Sequence, residues 1–383
     1  MKPRLSVVTL FPEFFEAFRA HSIVGRGVKN GAFDLELVDL RQWGIGAYQS
    51  VDDYSYGGDG GMTLRADVLE EAYQALCATS KPFVVYPTPQ GAPLTQDLVE
   101  SLPREGHMAL FCGHYEGLDE RFVRRRVDLE VSVGDYVLTG GELPAMTIID
   151  AWSRLLPGVV GNSHSVEADS FYDGMLDTCH YTRPPLWKGD AVPEVLLSGD
   201  TALIQRWRRD EALARTLSRR PDLLARASLS PYLHHRPTAL WVTDQLPDPS
   251  TLRGLDGLAQ AFGLTRFFLC PATFDKACAE AWKEQVAPLG LAHLKIEPHI
   301  SRALTWLKRK TGATPLVAHL NQGSTPWLEA KRIIAQTQQP LVLVLGSSPE
   351  ADDLALRPLC LTDPTDPVAL MAISLDRFFG SRS

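Results

Sequence analysis

The chain has 383 residues, a length typical of two or three domains, and its 45% hydrophobic and 22% charged residues exclude disordered, collagen-like and coiled-coil classes. No stretch approaches the twenty or so apolar residues of a membrane span, and the N-terminus lacks the apolar core of a signal peptide. Six cysteines without a C-x-x-C pair and a net charge of -8 predict a reduced, cytoplasmic protein that is not basic overall and has no membrane partner.

The first 160 residues alternate short apolar runs with helical patterns, which predicts a parallel sheet with crossover helices. LSVVTLF predicts the first strand, and FDLELVDL, KPFVVYP, HMALFCG and VDLEVSVGDYVL predict the others. Helices are predicted from Pro12 to about Gly25, over 64–79 and 95–102, and in LPAMTIIDAWSRLL. We assign residues 1–160 to one α/β domain.

The middle of the chain differs in composition. GVVGNSHSVEADSFYDG is rich in Gly, Ser and Asp and has no periodicity, which predicts a mobile linker over 161–174. Residues 175–232 predict a small all-α domain. Its window 200–230 holds seven arginines against four carboxylates. Guanidinium groups bind phosphates, so this window is a candidate RNA contact; the alternative is a solvated amphipathic face.

Residues 237–383 contain five strand-like runs that alternate with helical segments. This pattern predicts a second doubly wound α/β domain. Its 14 Lys/Arg residues balance its 14 Asp/Glu residues. The composition therefore gives no electrostatic case for strong RNA binding by this part of the chain.

Three loops come directly after predicted strands and allow a ligand to approach the backbone closely. They are the segments YPTPQG from Tyr86, CGHYEGLDER from Cys112 and SVGDYVLTGGELP from Ser132. Glycine removes the side chain that would hold a ligand away, and parallel strands end at one edge of a sheet. The sequence lacks the glycine motifs of dinucleotide and P-loop sites. For CGHYEG taken alone, a strand-to-helix turn with a solvated helix start is the other interpretation.

Together these motifs resemble the bacterial tRNA (guanine-N1)-methyltransferases that modify guanosine 37 beside the anticodon. Matching blocks cover roughly residues 4–230: SVVTLFPEFF, VDDYSYGGDGGM, YPTPQG, CGHYEGLDER, VGDYVLTGGELPAM, SRLLPGVVG, EADSF, LDTCHYTRP, VPEVLLSGD and RWRR. Two departures are Asp59, where the family usually has glycine, and His114, where arginine is common.

The resemblance implies a trefoil-knotted α/β fold for 1–160, S-adenosylmethionine as cofactor, the tRNA anticodon stem-loop as partner, and a homodimer whose active sites use both subunits. The cofactor contacts that it implies are Tyr86, Pro89, Gly113, Val133, Gly134, Asp135, Tyr136, Val137, Leu138, Gly140 and Gly141.

The chemistry of the reaction indicates the other site residues. N1 of guanine is a poor nucleophile until it loses its proton, so a carboxylate is needed as general base, and a cation can stabilise charge on O6. The resemblance gives these roles to Asp169 and Arg154, which would otherwise be expected as surface charges. Glu116 is a secondary candidate, for cofactor orientation or for Mg²⁺. The implied tRNA contacts are His180, Arg183, Arg208 and Arg209.

The last domain resembles, less strongly, a second trefoil-knot RNA methyltransferase. The resemblance rests on PLVLVLG, LCLTDPTDP and LMAISLDRFFG, whereas GSSPEAD has a single glycine, which predicts a degraded cofactor pocket. Two alternatives stay open. In the first, the enzyme is a knot-family RNA methyltransferase that acts on ribose or on another base. In the second, which concerns the last domain alone, that domain is a non-catalytic module for RNA binding or dimerisation.

Overall fold

The computed structural model describes residues 2–57, 60–160, 169–320, 325–346, 354–355 and 366–380. The chain divides into two compact units, Met1–Glu167 and Ala168–Ser383. Within the described ranges, no helix is both long enough and apolar enough to cross a membrane. The sequence predicts more domains than these two units, with boundaries at 160, 174 and 232. Those boundaries stay predictions.

The first unit is built on a parallel sheet, as the alternating sequence pattern predicts. Its strands, in chain order, are β1 (Arg4–Thr9), β2 (Asp34–Asp39), β3 (Asp52–Tyr54), β4 (Met62–Leu64), β5 (Phe83–Pro93), β6 (His107–Phe111) and β7 (Leu129–Ser132). Five of them form the sheet, in the order β2-β1-β6-β5-β7 with all neighbours parallel. Strands β3 and β4 pair separately as an antiparallel hairpin. The knot stays a prediction.

Helices cover both faces of this sheet, so its strands are buried on both sides. They are α1 (Glu16–Ala20), α2 (Ser22–Lys29), α3 (Ala66–Cys77), α4 (Gln96–Ser101), α5 (Glu120–Arg126) and α6 (Glu142–Ser153). Successive strand residues point to opposite faces. Val7 therefore packs in the core with Trp152 of α6, and Val8 packs in a second core with Leu69 of α3.

The prediction of one helix from Pro12 to about Gly25 is wrong. Pro12–Phe15 form a short 3-10 turn, and α1 and α2 are separated by His21, whose backbone is extended (φ -121°, ψ 171°). Gly25 packs closely against the end of α1, because a Cβ atom there would lie 2.5 Å from the carbonyl carbon of Ala20. The missing side chain lets the two helices fold back on one another.

The second unit begins with hydrogen-bonded turns and a helical segment. Of the predicted linker, 161–168 lie outside the described residues, and the chain at 169–174 turns toward buried Met175. The next elements are β8 (Leu186–Trp187), β9 (Asp190–Ala191), α7 (Glu194–Leu197) and α8 (Thr201–Arg219). The small β8–β9 hairpin means that this segment is mainly helical and not all-α as predicted. A two-residue strand is too short to produce a sequence pattern.

A six-stranded parallel sheet comes next, again with helices. Its strands are β10 (Thr238–Thr243), β11 (Phe267–Pro271), β12 (Leu294–Ile296), β13 (Leu316–His319), β14 (Leu341–Leu345) and β15 (Leu354–Ala355), in the order β12-β11-β10-β14-β13-β15. The helices are α9 (Pro249–Ala261), α10 (Lys276–Val286), α11 (Ile300–Thr311), α12 (Trp327–Thr337) and α13 (Pro367–Phe379). The first five strands match the predicted runs, and the two-residue β15 was not predicted.

The helical segment and the second sheet share one hydrophobic core. Leu213 of α8 and Leu229 belong to the same buried cluster as Leu343 of β14 and Phe378 of α13. The backbone N–H of Leu229 donates to the carbonyl of Phe378 at 2.9 Å. Apolar contact and hydrogen bonding therefore join these parts directly, and the helical segment has no separate core of this size.

A buried lysine reinforces this junction. Lys331 of α12 is 4% exposed, and its Nζ donates to the carbonyls of Leu224 at 2.9 Å and Ala227 at 2.7 Å. Burial, with a smaller contribution from nearby Arg377, lowers the pKa of Lys331 to about 8. The two carbonyls are thereby satisfied, at the cost of taking an ammonium group out of water.

Candidate functional site

A cavity of about 310 Å³ opens beside β5 and at the carboxyl ends of β6 and β7 in the first unit. The three segments singled out in the sequence form its walls, but the prediction of a loop at YPTPQG is wrong. These residues lie within β5, whose pairing with β7 shifts register between Pro87 and Ala92. Ten of the eleven predicted cofactor residues line it: Tyr86, Pro89, Gly113, Val133, Gly134, Tyr136, Val137, Leu138, Gly140 and Gly141. Asp135 is not among the lining residues. The carboxyl edge of a parallel sheet is where ligands bind in open α/β folds.

Two of the loops touch through their backbones. The N–H of Gly141 donates to the carbonyl of Gly113 at 2.8 Å. A Cβ atom on Gly141 would lie 2.7 Å from the Gly113 nitrogen and 2.8 Å from Cys112 Cα, closer than real Cβ contacts allow. Position 141 therefore requires glycine, and the contact fixes the start of α6 against the end of β6.

Tyr86 of β5 contacts the second loop, CGHYEGLDER, through its hydroxyl group. Its hydroxyl accepts a hydrogen bond from the backbone N–H of Leu118 at 3.4 Å. Gly117 has a φ of +112°, and a Cβ atom there would lie 2.7 Å from the Tyr86 hydroxyl. Burial raises the pKa of Tyr86, so the phenol stays neutral and keeps its proton at physiological pH.

A buried carboxylate that the sequence analysis missed connects β1, the second loop and α6. Glu142 is 4% exposed and accepts hydrogen bonds from Thr9 Oγ1 at 2.7 Å and from His114 Nε2 at 2.8 Å. Burial, together with the nearby charge of Glu142, raises the pKa of the Cys112 thiol. Glu142 comes directly after the Gly-Gly pair, but its sequence position alone is typical of an ordinary acidic helix start.

The third loop presents apolar side chains to solvent at the cavity rim. Tyr136, Val137 and Leu138 are 57%, 86% and 39% exposed. Gly134 has a φ of +155°, and the Tyr136 ring folds back against it. Exposed apolar side chains grouped beside a cavity are typical of a surface that another molecule covers.

The two predicted catalytic residues lie in different units. Arg154 is half-buried at the C-terminus of α6 in the first unit. Asp169 is half-buried at the beginning of the described part of the second unit, where its carbonyl accepts from the N–H of Tyr172 at 3.4 Å. Their catalytic roles stay predictions.

The predicted tRNA contacts lie on α8 or in the segment beside it. Arg208 and Arg209 are exposed on α8, whose N-terminus Asp200 caps by accepting from the N–H groups of Ala202 and Leu203. The segment with His180 and Arg183 lies beside α8, because the rings of Tyr181 and Trp207 are 6.2 Å apart.

Two further contacts fix this segment. Cys179 Sγ lies 3.2 Å from a carboxylate oxygen of Glu211 and 2.9 Å from a guanidinium nitrogen of Arg215, both on α8. His180 is held by Asp177 through an Nε2–Oδ2 contact of 2.7 Å, and its side chain is 75% exposed. Cationic side chains from two stretches of sequence therefore face solvent together.

Glu116 lines the cavity and is exposed to solvent. In the ranges that the structure describes, no three His, Cys, Asp or Glu side chains are grouped as metal ligands. A lone carboxylate supplies too few oxygen ligands to hold Mg²⁺ without substrate or water.

Comparison with known proteins decides the family. The model of the family described as tRNA (Guanine-1)-methyltransferase TrmD matches residues 3–226, more than half of the chain. The chain belongs to this family. The match contains the whole first sheet, the cavity and α8, and it ends before the second sheet.

Individual relatives agree with the family match. The protein named tRNA (guanine-N(1)-)-methyltransferase from Magnetococcus marinus is 52% identical over 231 residues, which are 59% of this chain and 91% of the relative. Proteins of the same name from Moorella thermoacetica and Shewanella sediminis are each 49% identical, over 60% and 59% of this chain and 92% and 95% of their own. This family member therefore carries a long extension beyond the part that it shares with these relatives.

Proposed function

We propose that the protein transfers a methyl group from S-adenosylmethionine to N1 of guanosine 37 in tRNA. The observation that carries the proposal is the cavity beside β5 and at the carboxyl ends of β6 and β7, which lies wholly inside the range matched by the methyltransferase family. The motifs around it resemble those of enzymes that modify guanosine 37.

The cavity suits a cofactor that is bound largely through the backbone. Its walls include Gly113, Gly140 and Gly141, whose missing Cβ atoms let the neighbouring segments pack closely, and the loop from Val133 to Leu138. These residues, with Tyr86 and Pro89, would hold the cofactor. S-adenosylmethionine supplies an electrophilic methyl group when it is bound.

Asp169 and Arg154 would prepare the guanine. The Asp169 carboxylate accepts the proton from N1 as N1 becomes the nucleophile, which leaves the lone pair on the ring nitrogen available. The Arg154 guanidinium stabilises the negative charge that develops on O6. Assignment of both roles rests on the motifs EADSF and SRLLPG.

A homodimer would complete the site. The exposed side chains of Tyr136, Val137 and Leu138 at the cavity rim support this proposal, because a second subunit would remove their apolar surface from water. We assign no step to Mg²⁺, because Glu116 by itself does not form a site for the ion.

The tRNA would be held by the helical segment. Arg208 and Arg209 of α8, with Arg183 beside it, present cationic groups that can bind the phosphates of an anticodon stem-loop, and the exposed His180 lies in the same segment as Arg183. The guanine in the loop can leave its stack without a duplex being opened.

The test is nucleoside mass spectrometry of tRNA treated with the protein and S-adenosylmethionine, followed by mapping of the modified position. We expect 1-methylguanosine at position 37 and none in a transcript with adenosine there. A 2′-O-methylated nucleoside or another methylated base would favour the alternative knot-family activity instead.

A further inference from the structure

Helix α11 of the second unit carries concentrated positive charge. It contains Arg302, Lys308, Arg309 and Lys310, all exposed, and no carboxylate. None of the four has a carboxylate partner at ion-pair distance in the described part of the chain. Residues 237–383 are neutral as a whole. The positive charge of this helix is therefore not visible in the composition of the domain.

Three of these cations share one face of the helix with a tryptophan. Arg302, Trp306, Arg309 and Lys310 stand at positions i, i+4, i+7 and i+8, which lie above one another on a helix. The adjacent face, with Ile300, Ala303 and Leu307, is buried against β10, β11, β13 and β14, and Trp306 lies half-buried at the boundary between the two faces. We call Arg302, Trp306, Arg309 and Lys310 the basic stripe.

The tryptophan holds part of the stripe in place. The Trp306 ring packs against Phe268 with 5.4 Å between ring centroids, and Lys310 Nζ lies 5.0 Å from the Trp306 centroid. A cation–π contact of this kind keeps the ammonium group on the stripe face. Lys295 Nζ lies 5.6 Å from the same ring centroid but is ion-paired with Glu297 at 2.7 Å.

Helix stability does not explain all of these charges. Cations in the last turn stabilise a helix through its dipole, which accounts for Arg309 and Lys310. Arg302 is in the first turn, where the dipole disfavours a cation, and no carboxylate offsets it. An anionic partner for the whole stripe accounts for Arg302 as well.

The stripe and α8 lie on opposite faces of the second sheet. Helix α8 belongs to the core that contains Ala239 and Leu343, and α11 packs against Leu240 and Val344, whose side chains point the other way. A sheet with helices on both faces is about 20 Å thick, at about 10 Å per layer contact. An RNA that reaches both surfaces must therefore extend beyond a single loop.

We propose that the basic stripe is a second RNA-binding surface, which contacts backbone phosphates of the tRNA outside the anticodon stem-loop. This rests on the proposed function, which supplies tRNA as the partner. Arg302 and Lys310 are about 12 Å apart along the helix axis, so the stripe can meet more than one phosphate. Each neutralised phosphate releases counterions and adds to the salt dependence of binding.

The test compares a full-length tRNA that has guanosine at position 37 with its isolated anticodon stem-loop. In the full chain, Arg302→Gln, Arg309→Gln and Lys310→Gln are combined. We expect the Kd for full-length tRNA to rise about tenfold at ~0.1 M salt, and the slope of log K against log salt to fall by about 2. Stem-loop affinity and the methylation rate of the stem-loop are expected to be unchanged.

The matched control removes the same charge elsewhere in the second unit, through Arg253→Gln, Lys276→Gln and Lys283→Gln. It is expected to leave both RNAs bound as in the wild type. Equal losses in both variants would show a net-charge effect, and unchanged tRNA affinity in the stripe variant would overturn the proposal. The proposal would also be overturned if the stripe variant lost binding to phosphatidylglycerol vesicles but kept its affinity for tRNA.

The outcome is separable from that of the proposed function. If the wild-type protein bound tRNA without methylating guanosine 37, and the stripe variant still lost affinity for full-length tRNA, only the methylation proposal would fail. If methylation proceeded and the stripe variant bound full-length tRNA normally, only the stripe proposal would fail.

Discussion

The two sheets of this protein have the same order in their central strands. In the first, β1 is followed across the sheet by β6, β5 and β7; in the second, β10 is followed by β14, β13 and β15. In each sheet, the first strand pairs with a strand from much later in the chain, β6 or β14. The strand that comes just before this neighbour in sequence, β5 or β13, pairs with the neighbour's other edge. The two sheets therefore share a strand order, and the resemblance of the second to a knotted methyltransferase stays a prediction.

The two sheets differ in the loops at the carboxyl ends of their strands. After β6 of the first sheet, Gly113 and Gly141 bring two loops together beside a cavity. After β14 of the second, Gly346 has a φ of +86°, and a Cβ atom there would lie 2.0 Å from the carbonyl oxygen of Val242 on β10. The first pair of glycines shapes a cavity wall, whereas Gly346 packs against a neighbouring strand. Beyond Gly346, the rest of the segment GSSPEAD lies outside the described residues, so the predicted degradation of a cofactor pocket there stays a prediction.

The largest expected effect tests whether only the first sheet has an active site. Asp169→Asn keeps the shape of the side chain and removes the proton acceptor, so kcat for tRNA methylation is expected to fall about 10²–10⁴-fold with S-adenosylmethionine affinity unchanged. Single-turnover kinetics and calorimetry measure the two quantities. Near wild-type turnover would remove Asp169 from the mechanism, and residual methylation of another nucleoside would reveal activity in the second sheet.

Arg154→Ala is expected to reduce the rate by about 10²–10³-fold, because the charge on O6 would lose its cation. The matched control is Arg124→Ala, since the Arg124 side chain is 76% exposed and pairs only at the surface with Glu120. The same steady-state assay serves both variants. Equal activities of the two variants would mean that Arg154 is an ordinary surface charge.

A glycine substitution distinguishes the cavity from the rest of the fold. Gly141→Ala forces the Cβ atom against Gly113, so we expect the Kd for S-adenosylmethionine to rise at least about tenfold, which is about 1.4 kcal/mol. Gly257→Ala, on α9, meets nothing within 4 Å and is expected to leave that Kd unchanged. Calorimetric titration of both variants measures the contrast. Tight cofactor binding by Gly141→Ala would show that the loop contact does not shape the site.

The smallest effect concerns the junction between the helical segment and the second sheet. Folding lowers the pKa of Lys331 from 10.5 to about 8, so between these values the unfolded chain binds more protons and stability rises with pH. Relative to Lys331→Met, the wild type is expected to gain about 1–3 kcal/mol in free energy of unfolding from pH 8 to pH 10.5. Urea denaturation at several pH values measures the free energy of unfolding of both proteins. If it depended on pH identically in both, the Lys331 ammonium group would be solvated and not buried.

Much of the first sheet and its site was predictable from sequence because the signals are local. Apolar runs bounded by turns predicted the five strands, and CGHYEG and LTGGELP indicated two loops beside the cavity. YPTPQG also lines the cavity but belongs to β5, because a strand can continue through a shift of register that its sequence does not reveal. Asp135 lies in one of these loops but does not line the cavity, since a loop's composition does not fix which way each side chain points. The break at His21 was missed because it depends on the approach of Gly25 to Ala20.

The sequence by itself determined the alternation of strands and helices, the glycine-containing loops and the family resemblance, because periodicity and backbone freedom are properties of neighbouring residues. Only the tertiary structure decided the partners of Glu142, the common core of the helical segment and the second sheet, and the burial of Lys331 against Leu224 and Ala227. Each of these joins or faces residues that are distant in sequence. Burial and charge at a position depend on what the fold brings there, which no local pattern records.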